Sequence, residues 1–242
     1  MFEPFLNLYH QGTITKDGAK MSKSKGNTVS PDIFVDKYGS DTFRAFLMFM
    51  GPFDEGGDWN DKGITGIHRF LNKIWRLMQL QNNNDSPSKE DLRILHYTIK
   101  IVGEDINQKK FNTAISRCME FVNHFSGVDA FYYEFKVVFI KIIAPLVPHL
   151  SEELWHVIGN KSSVFDQDYP KHIEEYLKVE EIKYVIQING KLRGEIIVDK
   201  SIEKEAILIA AKENPNTQKH LLDKIIVKEI LIPNKLINFV VH

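Results

Sequence analysis

The sequence predicts a mainly α-helical chain that ends in a small α/β domain. Three observations carry this. Apolar residues recur at helical spacing from about residue 65 to residue 155. Near residue 183 the pattern switches to strict alternation, around an Asn189-Gly190 turn signal. The first 60 residues, by contrast, are glycine-punctuated and irregular.

In the opening segment, Gly12 to Gly26 reads as a turn followed by a basic loop, Ala19-Lys-Met-Ser-Lys-Ser-Lys-Gly-Asn27. Ser30 and Pro31 then mark a helix start, with Asp32 favouring the helix dipole. A short helix is expected from Ser40 to Met50, stopped by Gly51-Pro52. Ile67, Phe70, Leu71, Ile74, Trp75 and Met78 then form one apolar helical face. A polar loop, residues 81–88, separates it from a second helix through Leu92, Leu95, Ile99, Val102 and Ile106. A third helix is expected from Asn112 to about Phe125, and a fourth from about Phe131 to Ile143. Pro145 and Pro148 break the fourth, and Ser151 is expected to cap its continuation through Trp155. Helices with such short connections pack as an antiparallel bundle. Residues 159–180 read as a polar connection. Strands at 183–188 and 192–198, a helix capped by Ser201, and strands at 225–232 and 236–241 give the order ββαββ.

Composition sets limits on function. The 242 residues are 43% hydrophobic and 26% charged, so a sizeable core can be buried. A formal net charge of −1 means that nucleic-acid binding must rely on local basic patches. The single cysteine, Cys118, excludes an internal disulfide and a thiolate zinc module, so no zinc is expected. No apolar run reaches the about 20 residues of a membrane span, and Met1-Phe-Glu-Pro4 lacks the features of a signal peptide. No membrane partner and a cytoplasmic setting are expected. Asp54, Glu55 and Asp58 lack calcium-loop spacing and read as a solvated acidic turn, so no metal site is assigned.

Lys20-Met21-Ser22-Lys23-Ser24, followed by Lys25-Gly26-Asn27, carries the chemistry. Lysines supply point charges to phosphate oxygens, serines and loop amides add donors, and glycine permits a tight backbone. Such a loop suits closure over a triphosphate, where a lysine stabilises charge building on departing pyrophosphate.

The string Lys20–Ser24 is identical to the second signature of class I aminoacyl-tRNA synthetases. Residues 31–39 and 41–44 resemble the segment that follows it in that class. Met48–Pro52, Asp58-Trp59 and Gly63–Leu71 are similar to leucyl-tRNA synthetases. Phe111–Ala114 and Ala144–Trp155 resemble the anticodon-domain bundle, and Gln187–Arg193 with Ile232–Asn238 resemble the C-terminal domain of bacterial members. The blocks lie in collinear order over nearly the whole chain.

The resemblance implies three modules. Residues 1–60 are the end of a class I catalytic domain, 61–180 an anticodon-binding-type bundle, and 181–242 a ββαββ-like tRNA-binding domain. It implies ATP as substrate, bound by Lys20, Met21, Ser22, Lys23 and Ser24. Lys23 and Lys20 are the catalytic candidates, and Lys25 a further one. Magnesium is implied for the complete enzyme, with tRNA-Leu and leucine as its other ligands. The first class signature, His-x-Gly-His, is absent from this sequence. An N-terminal catalytic half is therefore expected as a partner, in cis or as a separate subunit, and this chain alone is expected to be inactive. Candidate tRNA contacts are Lys73, Arg76, Lys191, Arg193, Lys219 and Lys235. For Lys73 and Arg76 a solvated helix face competes with that role. The alternative function is a stand-alone tRNA-binding module or synthetase paralogue without catalysis.

Overall fold

The structure, a computed structural model, describes residues 4–178, 181–200, 202–222 and 224–242. Nearly half of the chain is helical, with three small sheets among the described residues. It divides into two compact units, Met1–Leu177 and Lys178–His242, each with its own hydrophobic core.

The first unit opens with β1 (Thr13–Lys16) and β2 (Ala19–Lys20), joined by a turn in which Asp17 and Gly18 both take positive φ, 55° and 70°. Sequence reasoning saw a turn here but no strands. The mirror-image turn fits the twist of a two-residue hairpin, and Asp-Gly is a pair that adopts it. β3 (Gly56–Trp59) pairs in parallel with β1, from Thr13 opposite Gly56 to Lys16 opposite Trp59. A one-turn 3-10 segment, Lys23–Lys25, lies between the hairpin and α1 (Pro31–Tyr38). Ser30 occupies the N-cap position of α1, but its hydroxyl bonds to Asp32 rather than to a helix amide. Gly39, at φ 86°, turns the chain into α2 (Ser40–Phe49).

The bundle follows as α3 (Ile64–Gln79), α4 (Lys89–Asn107), α5 (Phe111–His124), α6 (Tyr133–Ile143) and α7 (Pro148–Val157). The two-residue strands β4 (Gln81–Asn82) and β5 (Ala130–Phe131) pair in parallel between helices. α4 starts on a capping box. Ser88 Oγ accepts from the Asp91 N–H, and the Asp91 carboxylate accepts from the Ser88 N–H, both at 3.1 Å. The core is aromatic: Phe121 stacks on Phe139 with centroids 4.4 Å apart, and Phe125, Phe131 and Phe135 pack edge-on around them. Trp155 is buried as expected from its spacing, whereas Trp75 is only half-buried.

One expected cap is corrected. Ser151 lies inside α7, fully buried, and its hydroxyl donates to Val147 O. The helix starts a turn earlier, at Pro148, because proline fits the first helical position and lacks the amide that would need a partner. The cap comes from another element. Asp41 on α2 accepts from the Leu150 N–H at 2.6 Å and from His149 Nδ1 at 2.8 Å, while Arg44 donates to Pro145 O at 3.2 Å. The His149 side chain itself is exposed and takes part through its hydrogen bond to Asp41.

The expected polar connection after residue 159 is ordered against the bundle. Val164, in the 3-10 turn Val164–Asp166, is buried. Tyr169 donates to Ile99 O, the Ile173 N–H donates to His96 Nδ1, and α8 (Glu174–Leu177) lies along α4.

In the second unit, β6 (Glu181–Ile188) and β7 (Lys191–Asp199) form the expected hairpin, with Asn189 and Gly190 at φ 49° and 76°. Then come α9 (Lys204–Glu213), α10 (Pro215–Leu221), β8 (Ile226–Ile232) and β9 (Leu236–Val241). The sheet order is β7-β6-β9-β8, with β6 and β9 parallel at the centre. The element order is therefore ββααββ; α10 is a helix that the pattern did not announce. Asn214 caps it, accepting from the Asn216 and Thr217 amides. The expected Ser201 cap falls outside the described residues; α9 begins after Glu203.

Asp41→Ala should lower stability by about 1–3 kcal/mol, because it leaves the Leu150 amide without its acceptor in a place only 7% exposed. Asp41→Asn keeps an acceptor and should lose less. Urea unfolding of both variants checks this; equal midpoints for Asp41→Ala and the parent chain would refute the cap.

Candidate functional site

The lysine loop is held from both ends. Upstream, the β1–β2 hairpin is tied to β3 by Asp58, whose Oδ1 accepts from Thr15 Oγ1 at 2.6 Å and from the Gly18 N–H at 3.0 Å. The Thr15 bond, then the Gly18 bond, hold the Asp58 carboxyl below the usual carboxylate range. The expected solvated acidic turn is therefore, at Asp58, a structural acceptor. Within and beyond the loop, Met21 and Val29 pack against the hydrophobic core of the first unit.

Between these anchors the chain curls. Ser22 is extended (φ −151°, ψ 137°), Lys23–Lys25 make the 3-10 turn, and Gly26 ends it at φ 66° with its N–H on Lys23 O. Asn27 bridges the curl: its Oδ1 accepts from the Ser22 N–H at 2.8 Å, and its Nδ2 donates to Lys20 O at 3.3 Å. The hydroxyls of Ser22 and Ser24 meet at 2.8 Å. Sequence reasoning placed Asn27 in the string but gave it no role; its signal was a carboxamide just after the loop-ending glycine.

Lys20, Lys23 and Lys25 are exposed, and among the described residues none of them has an ion pair. Three unneutralised ammonium groups on one tight loop favour a polyanion. Among the described residues no group of three or more His, Cys, Asp or Glu side chains is placed to hold a metal ion. The described residues thus supply no such cluster for the magnesium expected of the complete enzyme. A largely apolar cavity of 530 Å³ lies between the start of the chain, α2, α5 and α7, and includes none of Lys20–Ser24.

The basic candidates elsewhere fall into separate groups. On α3, Lys73 donates to Asn123 Oδ1 at 3.1 Å, and with Arg76 it borders a small recess of 210 Å³ floored by Leu77, Leu80, Val122 and Phe125. In the second unit, Arg193 and Lys219 line one open recess of 400 Å³ together with Asn216 and His220. His220, which sequence reasoning missed, has its pKa lowered by burial and then by the charges of Arg193, Lys224 and Lys219. Lys191 starts β7 just past the turn. Lys235 is not part of this group. The parallel register sets Leu236 beside Val185 and Phe239 beside Ile188, which places Lys235 beside the middle of β6, away from the Ile188 end where Lys191 pairs.

The comparisons with known proteins agree with one another. The family described as tRNA synthetases class I (I, L, M and V) matches residues 2–60, and that described as the anticodon-binding domain of tRNA ligase matches residues 89–208. Leucine–tRNA ligase of Petrotoga mobilis is 41% identical over 99% of the chain, and that of Leptospira biflexa 42% over 99%. The chain matches the C-terminal part of leucyl-tRNA synthetase. A leucyl-tRNA synthetase of Agrobacterium radiobacter K84, solved in a ternary complex with tRNA and LeuAMS, aligns over 99% of the chain with a TM-score of 0.64 and 29% identity. The chain spans 32% and 28% of the two curated leucyl-tRNA synthetases and 33% of the solved one. The anticodon-domain match runs past Leu177 into β6, β7 and the start of α9, although the helical core and the sheet core are distinct.

A depressed carboxyl pKa means that the Asp58 contribution is fully present above the unfolded value of about 3.9 and is lost as pH falls through the lower folded value. Amide exchange at Gly18, corrected for its intrinsic pH dependence, should therefore lose protection in strong acid, and Asp58→Ala should remove the same protection at neutral pH. Unchanged protection in the variant would sink the role of this carboxylate.

Proposed function

We propose that this chain contributes the pyrophosphate-binding loop and tRNA-Leu-binding surfaces to an enzyme that activates leucine with ATP and transfers it to tRNA-Leu. The observation that carries the reading is the Lys20–Ser24 string on an anchored loop with three exposed lysines free of ion pairs among the described residues. Its setting, in a segment similar to class I synthetases and followed by an anticodon-domain match, supports it.

In this reading, leucine carboxylate attacks the α-phosphorus of ATP, leucyl-adenylate forms, and pyrophosphate leaves. Negative charge grows on the departing β- and γ-phosphates. Lys23, in the 3-10 turn, stabilises that charge, with Lys20 at the end of β2 in support. No covalent link to the protein is needed. Ser22 and Ser24 donate to phosphate oxygens once their mutual hydrogen bond opens. ATP binding by Met21 comes from its backbone, because its side chain packs against the hydrophobic core of the first unit.

The tRNA surfaces are Arg193, Lys219 and Lys191 on the terminal unit, Lys235 beside the middle of β6, and Lys73 with Arg76 on α3. Folded RNA is gripped largely through its backbone, and each phosphate neutralised releases counterions. Two compact units on one chain act as tethered sites, so each adds avidity to the other. The remainder of the catalytic domain, in cis or as another subunit, supplies the leucine pocket and the rest of the nucleotide site.

In the complete enzyme, Lys23→Ala should lower the rate of leucine-dependent pyrophosphate exchange by about 10²–10³ with little change in leucine binding. The chain by itself should show no exchange. Wild-type exchange in the Lys23→Ala enzyme, with tRNA binding retained by the chain, would instead favour a non-catalytic tRNA-binding module. Changing Lys191 and Arg193 together to alanine should weaken tRNA-Leu binding and flatten its salt dependence by about one to two phosphate contacts. Filter binding across a salt series measures this; an unchanged slope would remove the hairpin from the tRNA surface.

A further inference from the structure

We propose that Asn27 is a positioning residue for the lysine loop: its side-chain carboxamide sets the curl that presents Lys20 and Lys23 to the triphosphate. The proposal rests on the functional reading above, and deepens it at the same site.

Asn27 bonds to two points of the signature itself. Its Oδ1 accepts from the Ser22 N–H at 2.8 Å, and its Nδ2 donates to Lys20 O at 3.3 Å. One planar group thus fixes the backbone on both sides of Met21. The Met21 side chain packs against the hydrophobic core of the first unit, so the clamp acts on a point that is already anchored. From there the remaining geometry follows. Ser22 stays extended, Lys23–Lys25 close as a 3-10 turn, and the Gly26 amide returns to Lys23 O. Apart from the Ser22–Ser24 hydroxyl bond, Asn27 supplies the side-chain hydrogen bonds to this curl among the described residues. An aspartate would keep the acceptor and lose the donor. Alanine would lose both and leave the Ser22 amide to solvent.

A loop that must place a point charge against a developing charge depends on its resting geometry. A displacement of about 1 Å can cost on the order of 10² in rate. Asn27 itself touches no reacting atom in this account. Its removal should therefore act on the chemical step rather than on ground-state binding of leucine.

The test uses Asn27→Ala, Asn27→Asp and Lys23→Ala in the complete enzyme, with pyrophosphate exchange as the readout. Asn27→Ala should lower kcat for activation by about 10–10² with the KM for leucine unchanged, and Asn27→Asp should recover part of the loss. Transfer of leucine to tRNA from preformed adenylate should run at the wild-type rate, which a general folding defect would not allow. In the unmodified chain and its Asn27→Ala variant, amide exchange at Ser22 provides a readout independent of activity. It should be faster in the variant at an unchanged unfolding midpoint. Wild-type kcat in Asn27→Ala beside a crippled Lys23→Ala would overturn the clamp and leave the lysine assignment standing. Wild-type rates in both variants would overturn the lysine assignment and the clamp with it. Equal Ser22 exchange in the two chains would also overturn the clamp.

Discussion

The Asp41 carboxylate is the interaction on which the arrangement of the first unit depends. It leaves the first turn of α2, just after α1, and closes the N-terminus of α7, the last long helix of the bundle. A helix N-terminus presents unpaired amides and a partial positive charge, and a buried carboxylate answers both. The backbone bond at Leu150, the His149 contact and the Arg44 bond to Pro145 O fall on one short stretch of chain. Segments far apart in sequence are therefore joined by directional bonds as well as by apolar packing. The loop and the bundle share one core, because Met21 and Val29 upstream and Phe34, Phe43 and Phe46 in α1 and α2 pack into the same cluster as α3 to α7.

The loop is built in layers, each governed by a different force. Asp58 holds the hairpin through hydrogen bonds to Thr15 and Gly18, the apolar anchors hold its downstream side, and the Asn27 carboxamide holds its centre. The lysines take part in this support through their backbone, and their ammonium groups make no ion pair among the described residues. That division leaves their charge uncommitted to any acidic side chain among the described residues, which is what electrostatic stabilisation of a leaving group requires. In the terminal unit the logic differs. The charges of Arg193, Lys224 and Lys219 act on His220, beside a recess that Glu195 also lines.

Much of this was legible in the sequence because it rests on local periodicity. The apolar faces of α3, α4 and α5 and the Asn189-Gly190 hairpin follow from spacing and turn chemistry alone. The features that escaped depend on partners distant in the chain. Ser151 looked like a cap, yet the acceptor for α7 comes from Asp41, more than a hundred residues earlier. Residues 159–177 looked like a polar connection because Val164, Tyr169 and Ile173 are too sparse to show a period, although each meets a specific partner on the bundle. α10 is short and starts at a proline just after another helix, so no stripe announces it. Of the candidate site, the lysine string was readable and its support was not. Asp58 and Asn27 each act through two hydrogen bonds to residues that no periodicity links to them, so they leave no pattern. The six basic candidates could be named from sequence, but only the parallel register of β6 and β9 separates Lys235 from Lys191.

The Asn189-Gly190 turn does more than reverse the chain. The Asn189 side chain donates to Val241 O and accepts from the Val241 N–H, so it extends the ladder as a strand residue would, while the Gly190 N–H is held by Asn238 Oδ1. An asparagine followed by glycine is also the dipeptide most open to spontaneous deamidation, in which the glycine nitrogen attacks the neighbouring carboxamide. Here both reacting groups are engaged elsewhere. The fold thereby shields its most perishable bond, and the chemical lifetime of the terminal unit becomes a function of how seldom that turn opens.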